Sequence, residues 1–381
     1  MTTRELFDED HEAFRRSARA FLQREAVPHR EQWDADGIVS RDAWLAAGRA
    51  GMIGMAVPEE FGGGGQPDFR FNTVFTEESV AAEVTGLGVG LENDIIIPYL
   101  LQLATEEQKR RWLPEVCTGE KILAIGMTEP GAGSDLQGIA TTAVDKGDHY
   151  LLNGRKTFIS NGILADLVIV VAKTDPNAGH KGISLLVVER GMPGFERGRN
   201  LDKLGLHAQD TAELIFEDVR VPKENLLGAE GSGFISLMQN LPQERLSIAV
   251  IAVTSIERIL QLCLDYAKDR TAFGRPIGAF QHNRFVLAEM ATEARIARVY
   301  VDDCIRRHVA GELDAAEASG AKYWTTELQK KIVDAGVQLH GGYGYMTEYP
   351  IARAYADSRI QTIYGGTTEI MKEIVGRSLG I

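Results

Sequence analysis

The hydrophobic period of this chain changes twice along its length, and no other feature limits the available folds as strongly. From Glu9 to about Gly119 apolar residues recur three and four apart, as in Phe14, Ala18, Phe21 and Leu22. Breaks at Pro28, Gly37, Pro58 and Pro98 divide this stretch into helices. Between Lys121 and Pro222 the chain turns to short β-rich runs, Lys121–Met127, Tyr150–Ile159, Asp166–Ala172, Ile183–Glu189 and Ala212–Val219, parted by Gly, Pro, Asn and Asp turns. No long amphipathic helix separates them, which predicts a small antiparallel sheet or barrel rather than a βαβ nucleotide fold. From Gly233 the helical period returns. Leu246–Leu264 is apolar on nearly every face, as in a helix buried among others, and Phe280–Val309 and Ala315–Leu339 read as long amphipathic helices of an antiparallel bundle. The predicted fold is α+β and multidomain, with an N-terminal helical domain over 1–120, a middle antiparallel β-barrel-like domain over 121–225 and a C-terminal helical bundle over 226–381.

Several function classes are excluded at this level. The chain has 381 residues, 44% of them hydrophobic, enough to bury several cores. Its net charge of −13 argues against nucleic acid as a partner. Cys117, Cys263 and Cys304 are far apart and odd in number, so neither a disulfide framework nor a thiolate metal site is expected, and no metal is predicted. The polar, acidic start Met1–Asp10 lacks the features of a secretory signal, which together with the thiols predicts a cytoplasmic location. The densest apolar stretch in the middle of the chain, Leu167–Ala172, is far shorter than the ~20 residues a membrane helix needs, so no membrane span is predicted. Neither G-x-G-x-x-G nor the P-loop pattern occurs. The glycine run in Phe61–Pro67 has no flanking strand and reads as a surface loop rather than a phosphate cradle.

Five segments carry candidate chemistry. Met127-Thr-Glu-Pro-Gly-Ala-Gly-Ser-Asp-Leu136 leaves a predicted strand for a glycine-rich turn whose backbone N–H groups, with Thr128 and Ser134, suit an anionic ring edge or phosphate; singly it is more often just a turn. In Gly154–Gly162, Phe158 and Ser160 fall on one side of a strand by the two-residue period and place a flat aromatic beside a hydroxyl, or else form a strand end with a buried Phe. The loop Arg270–Gln281 carries cations spaced to meet a pyrophosphate, with ordinary helix capping as the plain alternative. Gln338-Leu-His-Gly-Gly-Tyr-Gly-Tyr345 and Ile363-Tyr-Gly-Gly-Thr-Thr-Glu-Ile-Met371 are glycine turns beside helix ends, where backbone donors can bind phosphate.

In order and content these five segments resemble the acyl-CoA dehydrogenases over essentially the whole chain. The likeness is greatest to the long-chain branch, through Leu241-Pro-Gln-Glu-Arg-Leu246, Ala208-Gln-Asp-Thr-Ala-Glu213, Gln338–Gly342 and Ile363–Gly366. The resemblance implies an FAD-dependent α,β-dehydrogenation of a medium- to long-chain acyl-CoA to the trans-2-enoyl thioester, as in fatty acid β-oxidation. It places the flavin ring against Phe158 and Ile159, with Ser160 near N5, Met127, Thr128 and Gly133 near the ring edge, and Ser134 toward coenzyme A. Arg270, Phe273, Gln281, Gln338, Leu339, Gly341 and Gly342 would hold the adenine and pyrophosphate of an FAD belonging mainly to a neighbouring subunit, so the resemblance implies a homo-oligomer, usually a tetramer. Thr367 and Glu369 would complete the FAD contacts. Electron-transferring flavoprotein is the implied acceptor.

Many relatives carry the catalytic glutamate directly after the tyrosine of the C-terminal motif, but that position here is Gly365. The long-chain and isovaleryl branches carry it on a helix of the C-terminal domain, and the matching residue is Glu244. Arg245 would stand beside the substrate, and Tyr364 and Gly365 would line it, with a backbone N–H of that turn polarising the thioester carbonyl. Water-poor surroundings from Leu246–Val253 would raise the Glu244 pKa, whereas a position at a helix N-terminus would lower it. Three other readings share these motifs: a dehydrogenase of a carrier-protein-tethered acyl group, a flavin oxidase, and a non-catalytic assembly protein that keeps the fold.

Overall fold

The computed structural model describes residues 4–84 and 86–381. Met1–Thr3, which open the polar N-terminal stretch, lie outside the described residues. Helices α1 (Glu9–Glu25), α2 (Arg30–Asp36), α3 (Arg41–Arg49), α4 (Phe69–Ala81), α5 (Val89–Leu91), α6 (Ile97–Leu103) and α7 (Glu106–Cys117) build the N-terminal part. The glycine run after Phe61 is an exposed loop between α3 and α4. Local sequence sets several boundaries: reciprocal capping boxes start α1 at Asp8 and His11 and α7 at Thr105 and Gln108. Between α5 and α6 the backbone makes a π-helical turn, Glu92–Ile96, whose polar side chains are all buried.

The middle part is one sheet of β1 (Leu123–Gly126), β2 (Thr142–Asp145), β3 (His149–Ser160), β4 (Leu167–Lys173), β5 (Ile183–Glu189), β6 (Phe195–Asn200), β7 (Thr211–Pro222) and β8 (Leu226–Leu227). The strands run in the order β6-β7-β3-β2-β4-β5-β8, with β1 beside β4. The expected antiparallel pairing holds for most of the sheet, with a parallel component added. Most pairs are antiparallel, but β1 pairs with β4 in parallel, from Leu123 opposite Leu167 to Gly126 opposite Val170. The excursion through β2 and β3 supplies the long crossover that a parallel pair needs. The register of β3 on β7 shifts between Lys156 and Ile159, a bulge that includes Phe158.

The C-terminal part contains α8 (Gly233–Asp269), a hairpin of β9 (Thr271–Ala272) and β10 (Arg275–Pro276), then α9 (Gln281–Val309), α10 (Ala315–His340), α11 (Pro350–Ser358) and α12 (Thr368–Ser378). By length and composition α8 could cross a membrane, against the expectation that no segment has that span. In the fold, Leu246, Val250, Val253 and Ile256 are buried in the core that α8 shares with α9 and α10. A helix enclosed by protein is apolar on all sides for the same reason a membrane helix is.

Candidate active site

The three parts of the chain meet around one large cavity of ≈ 1100 Å³. One face of α8 lines it over about half of the helix, through Glu244, Ser247, Ile248, Ile251 and Ser255. These positions recur three or four apart, so a single helical face supplies them. Thr128 and Ser134 from the turn after β1 line it too, as do Phe158 and Ser160 from β3 and Tyr364, Gly365 and Thr367 from the loop before α12.

Glu244 is only 5% exposed, and the Tyr99 hydroxyl donates to its Oε1 at 2.8 Å. Burial pushes its carboxyl up to about 7, while the Tyr99 bond and the charge of Arg245 pull the other way. Glu244 lies well inside α8 rather than at its start, so the helix-terminus effect has no purchase there. Desolvation therefore decides the direction of the shift. Arg245 does not line the cavity. It turns instead to α10, where Nη1 donates to Ser319 Oγ at 3.2 Å. Successive helical positions point about 100° apart, and that rotation carries the Arg245 side chain toward α10 while Glu244 stays in the cavity wall.

Gly365 adopts φ +63°, and a Cβ there would stand 2.4 Å from Ile248 Cδ1. A side chain at this turn would need both a left-handed backbone and a shift of the Ile248 methyl. Buried Lys322 fixes the next residue, its Nζ donating to the Gly366 carbonyl at 2.6 Å.

Phe158 has φ +60° and is 69% exposed although it lies in the middle of the molecule. Such a backbone costs about 1–3 kcal/mol and persists only where its surroundings hold it. Those surroundings are identifiable. Fully buried Lys156 donates from Nζ to Glu129 Oε1 at 2.7 Å and to the Met127 carbonyl at 3.1 Å. Glu129 in turn accepts from the backbone N–H of Ala140 at 2.5 Å and of Thr141 at 3.1 Å. The Thr157 N–H donates to the Thr128 carbonyl at 2.9 Å. One buried ion pair thus locks the Met127–Ser134 turn to the bulge and presents the Phe158 ring, Ile159, Ser160, Thr128 and Gly133 to the same space. An uncovered aromatic ring on a strained bulge, beside a turn rich in backbone donors, fits a flat heteroaromatic ring.

The remaining predicted cofactor residues are elsewhere. Arg270, Leu339, Gly341 and Gly342 come together with Tyr266 and Tyr343 in a shallow surface groove of ≈ 440 Å³. Phe273 stands 96% exposed at the tip of the β9–β10 hairpin, and Gln281 and Gln338 are exposed and line neither space. Glu369, expected to complete the FAD contacts, is exposed in the first turn of α12 and does not line the main cavity. Thr367 caps α12 by accepting from the Ile370 N–H and also lines the main cavity. Among the described residues no cluster of His, Cys, Asp or Glu could hold a metal ion.

Sequence reasoning missed Tyr99, Lys156, Glu129 and Lys322. Lys156 carried a usable signal, a lone lysine within a β-rich run. Tyr99 carried none, because only the packing of α6 on α8 brings it to Glu244.

A three-domain helix–sheet–helix chain with a buried carboxyl facing an apolar cavity and an aromatic platform defines a class, the flavin-dependent dehydrogenases that remove a proton beside a carbonyl. The comparisons specify it further. Residues 8–120, 124–219 and 231–380 match the N-terminal, middle and C-terminal domains of acyl-CoA dehydrogenase. The chain is 48% identical to the long-chain specific acyl-CoA dehydrogenase of Mus musculus mitochondria, over 99% of this chain and 88% of that one. The Sus scrofa mitochondrial counterpart is 49% identical with the same coverage. The crystal structure of an acyl-CoA dehydrogenase from Geobacillus kaustophilus superposes with a TM-score of 0.98 at 52% identity, over 100% of both chains. The chain belongs to the acyl-CoA dehydrogenase family. It is an enzyme of FAD-dependent α,β-dehydrogenation, and its substrate is an acyl-CoA thioester.

The cytoplasmic location does not stand, because the mouse and pig relatives are mitochondrial proteins. Free thiols point to a reducing compartment and do not separate one such compartment from another.

Proposed function

We propose that this enzyme acts on long-chain acyl-CoA with Glu244 as the base that takes the α-proton. The observation that carries this reading is the carboxyl of Glu244 itself, buried in the cavity wall and raised to about 7, where it both exists as a carboxylate and holds a proton once it has one. An α-proton of a thioester is weakly acidic, so the base has to be held beside that carbon and out of bulk water. The Tyr364–Gly366 turn, clamped by Lys322, offers backbone N–H groups to the thioester carbonyl as negative charge builds on it. Bound FAD supplies the hydride acceptor, and Phe158, Ser160, Thr128 and Thr367 are the groups placed to hold its ring.

The length of the cavity supports a long acyl chain. Its α8 wall runs from Glu244 to Leu262, about 27 Å at ~1.5 Å per residue, a length shared between the flavin and the acyl chain. The name of the mouse relative agrees with that substrate class. In this reading the surface groove at Arg270 and the exposed Phe273 serve the FAD of a neighbouring subunit, in a tetramer, and electrons leave to an electron-transferring flavoprotein.

The test is Glu244→Gln. The variant should keep FAD and lose acyl-CoA-dependent bleaching of the flavin, while the wild type with a panel of acyl-CoA lengths and a dye acceptor should give its highest kcat/KM on long chains. Bleaching at the wild-type rate in the variant would falsify the assignment.

A further inference from the structure

The base is not held by its own helix alone. Tyr99 lies on α6, is fully buried, and points its hydroxyl at Glu244 Oε1 from 2.8 Å, across the junction between the N-terminal and C-terminal parts. Around the base, each neighbouring element presents few ionisable groups. Tyr99 comes from α6, Asp94 from the π-helical turn, Arg245 from α8 itself, Lys322 from α10, and Tyr364 from the loop before α12. Asp94 is bonded by Ser247 and Asn72 and Lys322 by the Gly366 carbonyl, while Arg245 bonds Ser319 through Nη1, keeps a buried Nε without a partner, and acts on Glu244 through its charge rather than a hydrogen bond. Among the described residues, Tyr99 is the side chain that donates a hydrogen bond to the carboxylate of Glu244.

We infer that Tyr99 is a positioning residue for the proton transfer: by donating to Oε1 it fixes the carboxylate rotamer, leaves Oε2 as the oxygen that receives the α-proton, and favours the ionised base. This rests on the reading of Glu244 as the base. Two observations support a built arrangement rather than an incidental contact. First, α6 does not start from an ordinary loop but from the π-helical turn, a local change of helical register that occurs disproportionately at functional sites. That turn is anchored on three sides. Glu92 accepts from the Leu123 N–H of β1 at 2.5 Å, Asn93 bonds the backbone of Met52 and Gly54, and Asp94 accepts from Ser247, one helical turn from Glu244. The element that delivers Tyr99 is thereby fixed to the flavin-side sheet, to the N-terminal core and to α8 at once. Second, burial drives the Tyr99 hydroxyl well above the ordinary tyrosine range, so it remains a donor through the whole working range of pH.

The sign of the effect follows. A hydrogen bond to the charged form holds a carboxyl pKa down, so removing it raises that pKa. In Tyr99→Phe the acid limb of the kcat/KM–pH profile should move to higher pH by roughly one to two units, the size of a hydrogen bond to a charged group. At alkaline pH kcat should return toward wild type, with KM little changed. A direct readout without turnover is difference infrared spectroscopy on the FAD-loaded enzyme, wild type minus Glu244→Gln, in which the protonated-carboxyl band of Glu244 should titrate at higher pH once Tyr99 is phenylalanine. If the band and the limb stay at their wild-type pH while only the plateau falls, Tyr99 is packing and the inference is overturned. Should the phenylalanine variant fold poorly, Tyr99→His, which keeps a donor, is to be compared with Tyr99→Leu; equal limbs in those two would overturn it as well. Failure of the underlying assignment looks different, since Glu244→Gln would then remain active.

Discussion

At the scale of single residues the site is built against the chain's own stability. Glu244, Asp94 and Glu92 are acids taken out of water, and burial raises all three, Glu244 to about 7 and Asp94 to about 6. For an acid whose pKa is higher folded than unfolded, the folded form binds more protons between the two values. The contribution is favourable at low pH and is lost as pH rises through the folded value. For Glu244 that window runs from about 4.5 to about 7. Glu244→Gln should therefore be more thermally stable than wild type at pH 8 and indistinguishable at pH 4.5, by an upper limit of about 3 kcal/mol at the alkaline end. Calorimetry of both proteins across that range measures it, and a constant difference at every pH would refute it. Gly365 is fixed for a steric reason. Gly365→Ala should raise KM for acyl-CoA and cost about 1–3 kcal/mol of stability, because the left-handed backbone and the Ile248 methyl both oppose a Cβ.

The elements that hold these residues are stiffened by buried polar groups more than by regular structure. In the π-helical turn, Asn93 Nδ2 donates to the Met52 carbonyl at 2.7 Å and its Oδ1 accepts from the Gly54 N–H at 2.8 Å. Asn93→Ala leaves two buried backbone groups without partners, and urea denaturation should show a loss of about 2–4 kcal/mol. A loss below 0.5 kcal/mol would mean that water replaces the side chain there. The β3 bulge behaves similarly. Lys156→Met strands Glu129 in the interior at a cost of about 3–5 kcal/mol. It should also free the Met127–Ser134 turn, so FAD retention on gel filtration should drop together with stability. Strands with plain apolar runs were legible from sequence: Ile183–Glu189 matches its predicted limits and Leu167–Lys173 lies one residue along from its prediction. Phe195–Asn200 and Thr142–Asp145 were not foreseen, because Arg, Glu and Asn in the first and the short polar-edged second give no alternation to read.

Across the whole molecule, charged side chains tie the helical parts together. Glu83, at the end of α4, meets Arg30, Arg258 and Arg353, from α2, α8 and α11, at 3.1, 2.9 and 2.8 Å. All four line the cavity, so the same contacts set its distal wall. The β9–β10 hairpin stands apart from this network. A phenylalanine 96% exposed at its tip is costly to leave in water, and it fits the proposed contact with another subunit's cofactor. Phe273→Ala should change the unfolding free energy of the chain by less than about 0.5 kcal/mol, as for a surface substitution. It should at the same time lower FAD content and shift sedimentation toward smaller species. Unchanged FAD content with an intact oligomer would remove the hairpin from the cofactor site.

The sequence by itself determined the succession of helical, strand-rich and helical parts, because hydrophobic period is a local property that survives any later packing. Its motifs also marked Glu244, Phe158, Ser160 and the glycine turn at Tyr364–Gly366, each of which the fold brings to one cavity. Only the tertiary structure decided that β1 joins β4 in parallel, that Arg245 bonds Ser319 of α10, and that Tyr99 meets Glu244 145 positions later. It also decided that burial outweighs every opposing contact on that carboxyl. The reason is common to all four. Partner, direction and dielectric surroundings are set by residues distant along the chain, and no local period or motif encodes them.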